Sequence, residues 1–164
     1  MARSRSSATL ARCFAWRDPR ALGRDRSGAN AVEFALIAPL LLMLLMAIIQ
    51  FSIALNNYIE LTEAVRTGAR NLAISRAMAS ATPYTTTVSN IKSSAGNLTG
   101  SSITITMSVN GTACTDDSSC ATALSNAAGE TATVTATYPC NLTVMGINFS
   151  PSCSLQSQTS DLVE

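Results

Sequence analysis

Hydrophobic positions are spread unevenly along this chain. From Phe34 to Ile49 no side chain is polar, and beyond Gln50 the apolar character continues to Leu55. Together the two pieces make roughly 22 residues, or about 33 Å of helix at about 1.5 Å per residue, against a hydrocarbon core about 30 Å thick. The run predicts one membrane-spanning helix over 34–55. Pro39 interrupts its hydrogen-bond ladder by withholding a donor from the carbonyl of Ala35, which predicts a kink of the sort bilayer-spanning helices tolerate.

After Leu55 the pattern turns from continuous to periodic. Leu55, Tyr58, Ile59, Thr62, Val65, Ala69, Leu72 and Ala73 recur at spacings of three and four, with Asn56, Glu60, Glu63, Arg66, Arg70 and Asn71 mostly opposite. Residues 29–80 therefore read as one long helix, half in lipid and half in water, ended by Thr82-Pro83 because proline disfavours a helical conformation in the residue before it. Ala69, Ala73 and Ala77 leave a shallow groove on it that admits close packing.

Residues 81–164 are rich in Ser, Thr, Asn, Gly and small apolar residues. Val88 and Ile91 fit one short helix before Gly96. Ile103, Ile105, Met107 and Val109 then alternate with polar residues, a half-buried strand that ends in the Asn110-Gly111 turn signal. Thr131–Tyr138, Leu142–Ile147 and Leu155–Val163 are further strands by β-branched content. The expected fold is α+β, with a small antiparallel sheet laid on the water-exposed half of the long helix.

Charge assigns the two ends to different compartments. Arg3, Arg5, Arg12, Arg17, Arg20, Arg24 and Arg26 stand against only Asp18 and Asp25, whereas beyond residue 76 Lys92 stands against Asp116, Asp117, Glu130, Asp161 and Glu164. By the positive-inside rule the basic flank stays in the cytoplasm and the chain beyond Leu55 is exported. Two other targeting readings compete: an Arg- and Ser-rich mitochondrial presequence, which would normally precede a matrix domain, and a secretory signal cut after Ala54, for which the apolar core is too long. The arginines come with no folded basic module, so nucleic acid is not an expected partner.

Glu33 borders the apolar run directly. A carboxylate carried to mid-bilayer costs about 2.5 to 3.5 kcal/mol on insertion scales, less at the edge, and calls for a cation. A cut after Gly28 would supply one, because the new amine of Ala29 would stand about one helical turn from Glu33 and the helix N-terminus itself favours a negative charge.

The junction Gly28-Ala29-Asn30-Ala31-Val32-Glu33-Phe34 resembles the class III leader of type IV pilins and pseudopilins, with Glu at the fifth position of the mature chain. Taken with the basic leader, Pro39 followed by Leu40, Leu41 and Leu42, and Ala-Val-Arg-Thr-Gly-Ala-Arg over Ala64 to Arg70, the sequence is similar to TadE-like proteins of the tight-adherence (Tad) pilus system over about residues 24–78. The resemblance implies cleavage of leader 1–28 by a prepilin peptidase, assembly roles for Glu33 and Phe34, and a subunit contact at Arg66, Gly68 and Arg70. It also implies pilin-like subunits and inner-membrane platform proteins as partners, and a single-pass inner-membrane location with a periplasmic C-terminal domain, associated with the pilus or the cell surface.

Cysteine usage agrees with export. Cys13 falls in the leader, leaving Cys114, Cys120, Cys140 and Cys153, an even number in a small domain short of aromatic core. Four cysteines allow three pairings, and the expectation adopted is Cys114 with Cys120 and Cys140 with Cys153. Zinc is the competing use, but there is no His and no Cys-x-x-Cys. Asp116-Asp117 suit an exposed turn better than a Ca²⁺ site. With no His, no Gly-x-Ser-x-Gly elbow and no phosphate loop, the chain is not expected to be an enzyme or to hold a metal or cofactor. The main alternative to a pilin-like subunit is an unprocessed single-pass protein whose exported domain binds a partner.

Overall fold

A computed structural model of the chain describes residues 26–78, 81–144 and 146–164, with side chains from Gly28 onward. Arg3, Arg5, Arg12, Arg17, Arg20, Arg24 and Cys13 lie outside the described residues. Contacts divide the chain into a unit through Leu42 and a second, Met43–Glu164. In the first, the described residues are helical from Arg26. The helix to which they belong, α1 (Arg26–Ile74), has 49 residues and continues through Pro39, as its many Leu, Ala and Met favour.

α1 stops at Ile74, short of the position that Pro83 would dictate. Ser75–Met78 form turns, with the Ser75 N–H donating to Leu72 O (3.2 Å) and its hydroxyl to Asn71 O (2.6 Å). Arg76 also reaches the Glu164 carbonyl at 3.1 Å, and the Glu164 N–H donates to Ala73 O. These long-range bonds override a local sequence that would otherwise continue the helix.

The buried stripe of α1 consists of Leu61, Ala64, Val65, Gly68, Ala69, Leu72 and Ala73. It begins later than the periodicity indicated, since Leu55, Tyr58 and Ile59 are exposed and Thr62 is half-buried. Leu61, Ala64 and Gly68 complete a run at spacings of three and four that small residues had concealed.

Pro83 does not end a helix but opens one. It occupies the first turn of α2 (Pro83–Ser94), where its missing N–H leaves nothing unsatisfied, and α2 extends well beyond Val88 and Ile91. After a single 3₁₀ turn at Gly100–Ser102 come β1 (Thr104–Val109) and β2 (Thr112–Cys114). They are joined by Asn110 (φ 48°) and Gly111 (φ 75°), positive φ at both central positions as a tight two-residue hairpin requires. α3 (Asp117–Ser125) is next, then β3 (Thr131–Pro139), two short strands β4 (Thr143–Val144) and β5 (Ile147–Asn148), and β6 (Ser154–Leu162).

The main sheet has the order β2-β1-β3-β6, with every neighbour antiparallel. Registers such as Met107↔Val134 and Val109↔Ala132 place one apolar set on one face, and Met107, Val109, Ala132, Val134 and Ala136 are buried in the same core as the α1 stripe. The opposite face is threonine and serine, including a Thr133–Ser160 hydroxyl bond across strands at 2.8 Å. Small residues on both sides, Ala132 and Ala136 from β3 and Ala64, Gly68 and Ala69 from α1, let a domain with few aromatic residues close its core.

Two expectations need correction. Asp116 is exposed as expected, but Asp116-Asp117 open a helix and do not form a turn: Asp116 is the N-cap of α3, accepting from the Ser119 N–H at 2.7 Å in a reciprocal capping box. Leu142–Ile147 is not one strand, because Gly146 (φ 82°) reverses the chain into a miniature hairpin that pairs Val144 with Ile147.

Candidate functional site

The candidate functional surface is α1. From Val32 to Ile59 its large apolar side chains are exposed, between 41% for Met43 and 75% for Leu36. A soluble monomer rarely leaves a contiguous apolar patch larger than a few hundred Å² uncovered. Starting at Gly28, α1 is long and apolar enough to cross a bilayer; its most apolar window has a mean hydropathy of 2.6 and none of it is buried. One N-terminal helix is thus a candidate single-pass membrane anchor.

Glu33 and Phe34 sit at the start of this surface, both exposed, and Phe34 is 72% accessible. Ala29 and Glu33 are four residues apart on one helix, about 6 Å along its axis. With the Gly28–Ala29 bond intact, the first turn of α1 holds no acidic residue. A cut at that bond would move the helix N-terminus three residues towards Glu33, into the range where a terminal dipole and an amine act on a carboxylate. Gly28 has open space on every side of the position a Cβ would take. As a glycine inside a helix it weakens the first turn by about 1 kcal/mol relative to alanine.

The signature residues further along α1 separate into two roles. Gly68 is buried: a Cβ there would lie 2.5 Å from Ile91 Cδ1 and 3.6 Å from Thr87 Cγ2 of α2. It is therefore taken up by packing against α2. Arg66 and Arg70 remain exposed. They line an open groove of about 630 Å³ together with Asp161 and Glu164, so arginines and carboxylate-bearing residues share one groove. The helical period carried the sign that Gly68 and the arginines face different ways, since Gly68 lies three residues after Val65 and four before Leu72, whereas Arg66 and Arg70 fall on the polar side.

Two disulfides join the cysteines of the sheet domain, Cys114–Cys120 (Cα–Cα 4.8 Å) and Cys140–Cys153 (Cα–Cα 5.1 Å). The first ties β2 to α3. Asp117 then ties α3 to α2: its carboxylate accepts from the Thr85 hydroxyl at 2.6 Å and the Thr85 N–H at 2.8 Å, bonds that hold it below the usual carboxylate range. Asp116 is held low by the Ser119 N–H first and by the Ser118 hydroxyl next. Both carboxylates serve as helix-end acceptors. Sequence reasoning missed this, although Asp116 followed three residues later by Ser119 was the available signal.

A family model described as TadE-like protein matches residues 28–70. The matched span opens at Gly28, takes in Glu33 and the apolar run, and closes at Arg70, before any strand begins. No curated protein and no solved structure matches the chain.

Proposed function

We propose, from the TadE-like match over residues 28–70, that this chain is a pilin-like structural or assembly subunit of a Tad pilus. The basic leader holds the N-terminus in the cytoplasm, and α1 crosses the inner membrane with the sheet domain in the periplasm. A prepilin peptidase cuts between Gly28 and Ala29. Glu33 then pairs with an Ala29 amine, its own or a neighbour's, while Phe34 to Leu55 packs against the helices of other pilin-like subunits. Arg66 and Arg70 present charge to such neighbours or to platform proteins.

The observation that carries this reading is the exposed apolar length of α1, which starts one residue after a carboxylate and six after a helix-weakening glycine. Such a helix needs lipid before assembly and protein neighbours afterwards. Glu33→Ala is expected to leave membrane insertion intact and to reduce co-purification with pilus components. Co-purification at the wild-type level would remove Glu33 from assembly.

One observation favours the second reading, an anchored protein that is never processed. The Gly28–Ala29 bond lies inside α1, whereas a peptidase needs an extended backbone, so cleavage requires the first turn to fray. Size and membrane fractionation separate the two: processing removes 28 residues and keeps the anchor, while an unprocessed chain stays full-length in the membrane.

A further inference from the structure

We propose that the loop closed by Cys140–Cys153 is a second membrane contact, whose apolar side chains enter the exported lipid leaflet beside α1. The proposal rests on reading α1 as membrane-spanning. Val144, Leu142 and Phe149 of this loop and Met43, Ala47 and Phe51 of α1 line an almost wholly apolar groove of about 400 Å³. Those α1 residues belong to the apolar run itself, and Gln50, the first polar residue after its unbroken part, also borders the groove. The groove thus lies along the exported half of the run, from Met43 near its middle to Phe51, four residues before Leu55. Ile147 and Phe149 are 62% and 58% exposed, outside the core of the sheet domain.

Three features fit the loop to lipid and not merely to water. No residue from Cys140 to Cys153 carries a charge, so entry into the interfacial region desolvates no ion. Much of its backbone bonding is internal: Thr143 pairs with Asn148 and Val144 with Ile147, the Phe149 N–H donates to Leu142 O at 3.0 Å, and the Cys140 N–H donates to Cys153 O at 3.1 Å. A segment at membrane depth needs such internal satisfaction. The disulfide also holds both stems together, so the tip is presented without an ordering cost at contact. A neighbouring subunit could fill an apolar groove as well. Lipid is favoured because the groove is continuous with the stretch of α1 that lipid already surrounds.

The test places a fluorophore at the tip of the full-length chain. Trp16→Phe removes the single native tryptophan, Phe149→Trp adds one at the tip, and Thr112→Trp in the same background serves as a control on the exposed β1–β2 hairpin. Each protein is reconstituted into phosphatidylethanolamine/phosphatidylglycerol vesicles with or without brominated acyl chains. The Phe149→Trp protein is expected to emit blue-shifted and to be quenched several-fold more than the Thr112→Trp control. Ile147→Trp should behave like Phe149→Trp, guarding against disturbance at one position. If neither tip probe is quenched while the chain resists carbonate extraction, the loop proposal is overturned and the anchor stands. Tip emission that depends on the protein-to-lipid ratio but ignores bromination would assign the groove to a second copy and overturn it too. A chain released by carbonate would overturn both this proposal and the reading of α1 as a membrane span.

Discussion

Gly68 and Ile91 offer a quantitative test of how α1 and α2 close on each other. Placing a methyl at Gly68 drives it into Ile91 Cγ1 and Cδ1, both belonging to a side chain with no exposed area. Overpacking of this kind costs about 1–3 kcal/mol. The same substitution gains about 1 kcal/mol, because alanine is the better helix former and glycine loses more entropy on folding. Gly68→Ala should therefore destabilise the sheet domain by about 1 kcal/mol net, within a range of about 0–2. Ile91→Ala alone should cost about 2–5 kcal/mol through lost burial and a cavity. In the Ile91→Ala background the obstruction is gone, so Gly68→Ala should become stabilising by about 1 kcal/mol. The readout is urea-dependent pulse proteolysis of the detergent-solubilised chain, with a slope of about 1–1.5 kcal/mol per molar for a domain of this size. The midpoint should fall by roughly 1 M on Gly68→Ala in the parent and rise by a similar amount in the variant background. Equal effects in both backgrounds would refute the packing role and return Gly68 to the surface as a subunit contact.

Two further outcomes are expected of the same domain. Asp116 and Asp117 both have folded pKa values below their ordinary 3.8, so the unfolded chain binds protons first as pH falls. Their contribution is fully present above the ordinary value and is lost as pH drops through the lowered folded values. Urea midpoints read by tyrosine near-ultraviolet circular dichroism should therefore fall on acidification, and less steeply in Asp117→Asn; identical slopes would contradict the helix-tying role. Opening the loop between Cys140 and Cys153, which are 13 positions apart, with paired serine substitutions should cost about 3 kcal/mol on the chain-entropy account. It should also raise amide exchange at Phe149; unchanged exchange there would show that the hairpin holds without its staple.

Much of this fold was legible because its signals are local. The apolar run, the alternation leading into β1, the Asn110-Gly111 turn and the β-branched Thr131–Tyr138 each announce an element within a few residues. The cysteine pairs closed within the chain as expected because each joins neighbours in sequence. The features that stayed hidden depend on contacts between distant segments. Where α1 ends, Arg76 and Ala73 bond with Glu164, contacts that the sequence near Ile74 does not encode. α3 buries only Cys120 and Leu124 and has no strong apolar stripe, so its one announcement was the cap at Asp116. At the candidate site, the positions of Glu33 and of the two arginines on α1 were readable, and so was the side of the helix that Gly68 occupies; that Ile91 of α2 covers it was not.

The central claim, that a carboxylate bordering lipid is matched by an amine made by proteolysis, is tested most directly by the N-terminus of the protein recovered from the membranes of cells assembling pili. Edman sequencing or intact mass should give a chain beginning Ala29-Asn30-Ala31 with both disulfides in place. A chain still carrying its arginine-rich leader, or one beginning near Leu55, would contradict it.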